Sequence, residues 1–173
     1  ELKMAINAMA LRRTKAQAGL HLPPIPLTTT AVAGGTQEIA ALLREWPGLE
    51  QAILDAIEQG GLSFLDAQHI ATLRRLVGAA KAPPYSLLVA EELKNGVDKR
   101  VIFTWHTRAA EIITNHLTAE GHWVTLMDGS TNERSRVDFV KSFQEDPEHR
   151  VFIANIKSGG TGLTLTAAAD LDM

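Results

Sequence analysis

The stretch Arg100–Met127, "RVIFTWHTRAAEIITNHLTAEGHWVTLM", decides the fold. It opens on a β-branched and aromatic run, "RVIFTW" (100–105), and passes into a helical pattern closed by Gly121. It ends on a second such run, "HWVTLM" (122–127). Strand, helix and strand in immediate succession make a βαβ unit, with parallel strands and a right-handed crossover. Thr107 is read as the cap of the helix between them. Downstream the pattern repeats. Ser130-Thr131-Asn132-Glu133 matches a capping box opening the helix "RSRVDFVKSFQE" (134–145), and "RVFIAN" (150–155) follows as a third strand. The expected strands are Val101–Trp105, Trp123–Met127 and Val151–Asn155, and their apolar character on successive positions implies burial on both faces. Another strand starts within the closing "AAADLDM" (167–173). The fold class is α/β, a parallel sheet layered between helices.

Upstream the signals are helical. Residues 1–20 form a helix with a basic cluster, Arg12-Arg13-Thr14-Lys15, and the prolines of "LHLPPIP" (20–26) make an extended connector. Thr36 caps "QEIAALLREW" (37–46), which Pro47 ends. "GLEQAILDAIEQGG" (48–61) carries a helical apolar stripe closed by Gly60-Gly61. "SFLDAQHIATLRRLVGAA" (63–80) follows with Ser63 as its cap. "PPYSLLVAEELKNG" (83–96) is read as a separate helix with prolines in its first turn. The organisation expected is a connector over 1–30, a helical protrusion over 31–97 and the α/β part over 98–173. The protrusion is expected to pack on itself and against one edge of the sheet.

Composition narrows the function. The 173 residues are 45% hydrophobic and 21% charged, with a net charge of −3 and no cysteine. Disulfides, thiolate metal sites and a cysteine nucleophile are excluded. The six histidines form no helical metal-binding pair, so no metal site is expected. No apolar run is long enough to span a bilayer, and no secretory signal opens the chain, so no membrane partner and an intracellular location are expected. A chain of this charge can bind nucleic acid only through local patches. The ends, Glu1 and "DLDM", read as those of a piece of a larger protein.

Ligands of parallel sheets sit beyond the carboxyl ends of the strands. "TWHT" (104–107), "DGST" (128–131) and "NIKSGGTG" (155–162) all fall there. The last holds three glycines, yet matches neither the phosphate loop G-x-x-x-x-G-K-[ST] nor the dinucleotide loop G-x-G-x-x-G. Two readings stay open: a close-packed turn, or a loop facing phosphate, which its position favours. "DGST" is explained unaided as a tight turn with a cap. Arg134 and Arg136 read as solvated helix residues, and His106 as a loop histidine. No Ser/His/Asp set is spaced for nucleophilic chemistry, so no catalytic residue is assigned.

Taken in order, "KRVIFTWH", "LMDGSTNERSRVDFVKSFQ" and "VFIANIKSGGTGLTLTAAAD" resemble the second RecA-like lobe of the SNF2 family of superfamily 2 helicase-like ATPases. "RVIFTWH" resembles motif IV, "DGST" with Arg134 and Phe143 the block that follows, and Asn155 to Asp170 motif V. "ALRRTKAQAGLHLPP" (10–24) is similar to the segment that leaves the family's first lobe. Motif V of the family usually reads "STRAGGLGINL"; here Ile156, Lys157 and Thr164 depart from it, and "GLT" resembles the annealing-helicase branch.

The resemblance implies a partial C-terminal lobe of a translocase or remodelling helicase on double-stranded DNA. It implies ATP and Mg in the parent protein, with neither held tightly by this chain, and a first RecA-like lobe as partner. Carried onto this sequence, the nucleic-acid side comprises His106, Gly129, Ser130, Lys157 and Ser158, and the nucleotide side Gly160, Gly162 and Thr164. No Walker A lysine, Asp-Glu-x-His or motif VI arginine occurs, so the chain alone is expected not to hydrolyse ATP. The alternatives are a helical and α/β protein-interaction domain, and the lobe of an RNA-remodelling helicase of the same superfamily. The resemblance implies the cytoplasm, nucleoid or nucleus as location.

Overall fold

A computed structural model describes residues 17–19, 26–32, 35–46, 48–61, 67–159 and 162–173. The chain divides into two units, 1–31 and 32–173, and the second is the one described below. The basic cluster at 12–15, Pro47, the Ser63 cap and Gly160 lie outside the described residues.

The elements run α1 (Thr36–Arg44), α2 (Leu49–Glu58), α3 (Ala67–Lys94), β1 (Arg100–Thr104), α4 (Thr107–Ala119), β2 (Val124–Met127), α5 (Glu133–Glu145), β3 (Val151–Asn155), α6 (Ile156–Gly159) and β4 (Asp170–Asp172). The sheet order is β2-β3-β1-β4, with every pairing parallel. Arg100 pairs with Val151 and Asp170, and Val124 with Val151, so all four strands start level. All three expected strands are present, the first two trimmed by one tryptophan. Trp105 lies just past β1 and is exposed. Trp123 precedes β2, where its carbonyl still accepts from the Val151 N–H.

Strand alternation sorts the core into two layers. Ile102, Val151 and Ile153 face one side, where they meet Ala82, Val89, Ala90 and Leu93 of α3 and Ala110, Ile113 and Leu117 of α4. Val101, Phe152 and Ala154 face the other, against Phe143 of α5 with Phe139, Leu163 and Leu165 beside them. This three-layer α/β arrangement is RecA-like, as expected.

The helical region departs from expectation. One 28-residue helix, α3, runs straight through Pro83-Pro84 instead of ending before them. Neither proline has an N–H, so the carbonyls of Ala79 and Ala80 lose their helical partners. Burial of Leu76, Ala80, Ala82, Val89, Ala90 and Leu93 along the helix outweighs that loss. The C-terminal half of α3 covers a face of the sheet, not an edge, so a core-forming helix precedes the boundary expected at 97/98. Tyr85 and Arg100 both bond the Asp172 carboxylate, at 2.7 and 3.1 Å, and Arg100 also pairs with Glu92. These bonds fasten α3, β1 and β4 together.

Two expected caps also differ. Thr36 is the first helical residue of α1, and the carbonyl of Gly35 before it accepts from the Ile39 N–H at 2.8 Å. Thr107 likewise opens α4, and the N–H groups of Ala109 and Ala110 donate to the carbonyl of His106 before it.

Candidate nucleic-acid interface

The three strand-end loops meet in one open depression of about 580 Å³. It is lined by Thr107 after β1, Asp128, Gly129, Ser130 and Arg136 after β2, and Asn155, Lys157 and Ser158 after β3. Parallel strands of equal start put these loops on the same side of the sheet, and hydrogen bonds then tie them. The Arg136 guanidinium donates to the carbonyls of Thr131 (3.0 Å), Asp128 (3.2 Å) and Ser158 (2.8 Å). The Asn155 amide donates to the Trp105 carbonyl at 3.1 Å. The loops after β2 and β3 are thus joined by one side chain, and those after β3 and β1 by another. Arg136 is no solvated helix residue, contrary to the expectation.

The "DGST" turn is held from within. The Asp128 carboxylate accepts from the Ser130 N–H (2.8 Å) and the Ser130 hydroxyl (2.6 Å). These bonds hold its carboxyl below the usual carboxylate range, so it is ionised at neutral pH. Asn132, not Ser130, caps α5, accepting from the Ser135 N–H at 2.9 Å. With its hydroxyl hydrogen turned to Asp128, Ser130 is a lock of the turn. Ser158 is similar: its hydroxyl donates to the Asn155 carbonyl at 3.2 Å. A Cβ on Gly129 would meet nothing within 4 Å, so that backbone is open to approach.

The glycine stretch serves two needs. A Cβ on Gly159 would stand 2.6 Å from the Ala154 Cβ and 3.1 Å from the Met127 Cε, so only glycine lets α6 lie this close to the sheet. Gly162 has φ of +79° and is exposed. After it, Leu163 and Leu165 pack on the core while Thr164 points outward. Neither Gly162 nor Thr164 lines the depression.

Four of the five residues expected on the nucleic-acid side, Gly129, Ser130, Lys157 and Ser158, therefore share the depression, and His106 stands beside it. A Cβ on Gly78 of α3 would lie 3.6 Å from the His106 ring. Burial, then the nearby charges of Arg75, Arg74 and Lys157, hold the His106 pKa below the ordinary histidine range. Sequence reasoning missed Thr107, Arg136 and Asn155. Arg136 and Asn155 act on backbone carbonyls, which no side-chain motif announces. Two cations, Lys157 and Arg136, against one carboxylate, Asp128, leave the lining at a net charge of +1. Among the described residues no cluster of three or more His, Asp or Glu side chains converges on a metal position. No helix among the described residues is long and apolar enough to cross a membrane.

Residues 84–171 match the helicase conserved C-terminal domain. The chain belongs to that family. Among curated proteins it is 28% identical over 98% of its length to the "DNA annealing helicase and endonuclease ZRANB3" of Mus musculus, and 26% identical to the human protein of the same name. It spans 16% of the length of each. A shorter match, 33% identical over 47% of the chain, is to "Helicase SWR1" of Candida glabrata. Among solved structures, the "Sulfolobus solfataricus SWI2/SNF2 ATPase core in complex with dsDNA" aligns over 98% of this chain and 39% of that one, with a TM-score of 0.66 and 22% identity. At that identity the likeness concerns the fold. Family match and motif order agree on a C-terminal helicase lobe, and its fold is that of the SWI2/SNF2 ATPase core.

Proposed function

We propose that this lobe serves an ATP-driven motor moving on double-stranded DNA, inside the cell, and that the strand-end depression holds the DNA backbone. The observation that carries the reading is the joining of three loops by Arg136 and Asn155 into one rigid, net-positive concavity with Lys157 exposed at its rim. Phosphate contacts from an ammonium and open backbone position a duplex without reading bases. Lys157 is the exposed cation, the Gly129 turn offers close approach, and Ser130, Ser158 and His106 shape the surface. Gly160, Gly162 and Thr164 border the nucleotide in the closed two-lobed motor. The phosphate cradle and metal donors come from the first RecA-like lobe, and ATP with Mg is the fuel of the assembled motor.

A salt titration of duplex binding tests the reading. Each neutralised phosphate contributes a slope of about −0.9 in log affinity against log salt. Lys157→Ala is expected to weaken all duplexes alike and to reduce the slope by about one unit. An unchanged slope with unchanged affinity removes the depression from the DNA path.

A further inference from the structure

The cations of this molecule are not confined to the depression. Arg74 and Arg75 of α3 are both exposed, and no ion pair engages either among the described residues. They precede Gly78 by four and three positions, so all three share one helix face. That face is the one turned to the strand ends, because Gly78 lies against His106. His106 is followed by Thr107 of the depression and preceded by Trp105, over whose ring the Lys157 ammonium stands at 5.7 Å. The Arg75 guanidinium in turn lies 4.6 Å over the Trp46 ring, which steadies it. A chain of net charge −3 thus gathers Lys157, Arg75 and Arg74 on adjoining surface around His106. The charges that act on the His106 ring are those of Arg75, Arg74 and Lys157.

We propose that the N-terminal half of α3 is a second contact for the phosphate backbone of duplex DNA, continuous with the strand-end depression and carried by Arg74 and Arg75. The proposal rests on the depression as DNA path and extends it onto the helical region, to which no motif gave a role. Guanidinium groups suit phosphate oxygens, and a helix face presents them at fixed spacing. Phosphate is favoured over an acidic protein surface because the patch is contiguous with Lys157 and the open Gly129 turn.

The test is duplex binding by the full chain as a function of salt. The depression alone would give a slope of about −1 to −2, and engagement of α3 as well about −3 to −4. Arg74→Gln/Arg75→Gln is expected to lower affinity at low salt by about tenfold or more and to flatten the slope by about two units. Arg74→Gln alone, which leaves the Arg75–Trp46 stack in place, is expected to flatten it by about one unit. Arg75→Lys is expected to keep the slope, since charge is retained. Arginine variants with the slope of the unaltered chain overturn the proposal, and if Lys157→Ala still weakens binding the depression keeps its role. If neither set moves the slope, both readings fall. Loss in the arginine variants with none in Lys157→Ala overturns the continuous path. Loss of poly-glutamate binding in the arginine variants, with duplex binding intact, assigns the patch to an acidic protein and overturns the proposal too.

Discussion

Arg136 and His149 each bond groups from separate segments of the chain. Arg136 makes three charge-assisted bonds to carbonyls of two loops. Arg136→Ala is expected to cost about 1.5–3 kcal/mol, because partly buried carbonyls lose a charged donor. Lysine should not rescue it, lacking the planar fork. Urea denaturation checks the stability, and faster amide exchange confined to the loops at 128–131 and 156–159 checks the site of loss. His149 is fully buried, its ring nitrogens bonded to the hydroxyls of Thr125 (2.8 Å) and Ser142 (2.9 Å), stacked on Trp123 and edge-on to Phe143. Burial, with Lys99 nearby, holds its pKa below the ordinary value of 6.5. The folded state therefore keeps His149 neutral while the unfolded chain takes up a proton near that pH. Stability from this residue is complete above about pH 6.5, falls as pH drops through it, and levels off below the folded pKa. His106 and His122 are shifted the same way and add to the same slope. His149→Gln is expected to flatten unfolding free energy against pH below about 6.5 by its own share only. A slope identical to that of the unaltered protein would show that His149 is protonated without cost.

Among the elements, α3 is the one that sequence patterning divided in two. Proline at 83 and 84 is the usual mark of a helix start, and local signals cannot weigh the lost bonds against burial on α4 and the sheet. The same prolines shape the neighbour. Pro84 leaves the Ala80 carbonyl without its helical N–H, and the buried Gly35, with φ of +84°, sits against that carbonyl. A Cβ there would stand 3.0 Å from the Ala80 oxygen, in a backbone conformation that L side chains avoid. Gly35→Ala is expected to cost about 1–2 kcal/mol from the left-handed conformation alone. Hydrogen exchange should speed up over 36–44 while 100–104 and 151–155 keep their protection. Uniform loss across the sheet would mean that α1 is integral to the main core. The strands, by contrast, were legible almost to the residue, because each is a short apolar run bounded by turn or charged residues. Two of the misplaced boundaries are tryptophans, Trp105 and Trp123, whose β-propensity is real but whose rings meet the Lys157 ammonium and the buried His149 ring instead.

For the whole molecule, the phosphate cradle, the metal carboxylates and the arginine finger of phosphoryl transfer are all absent by motif from this sequence. The chain alone is therefore expected to hydrolyse ATP at background rate, with or without duplex. A phosphate-release assay checks this, and turnover that co-purifies with the chain through successive columns would contradict it. The sequence by itself determined the parallel α/β class, the three principal strands and the side of the sheet where a ligand would sit. Those features follow from local periodicity and from the fixed hand of the crossover. It also placed Gly129, Ser130, Lys157 and Ser158 at strand ends destined to converge. Tertiary structure decided what holds them there. Arg136 finds its acceptors on the backbone of loops 8 and 22 positions away in sequence, and Asn155 one 50 positions away. Every peptide unit carries the same carbonyl, so nothing in the sequence marks which one an arginine will meet. Only the packing of α5 and α6 onto the sheet brings them within reach. The course of α3 was likewise settled by distant burial, which outweighs two prolines only once the sheet is there to cover.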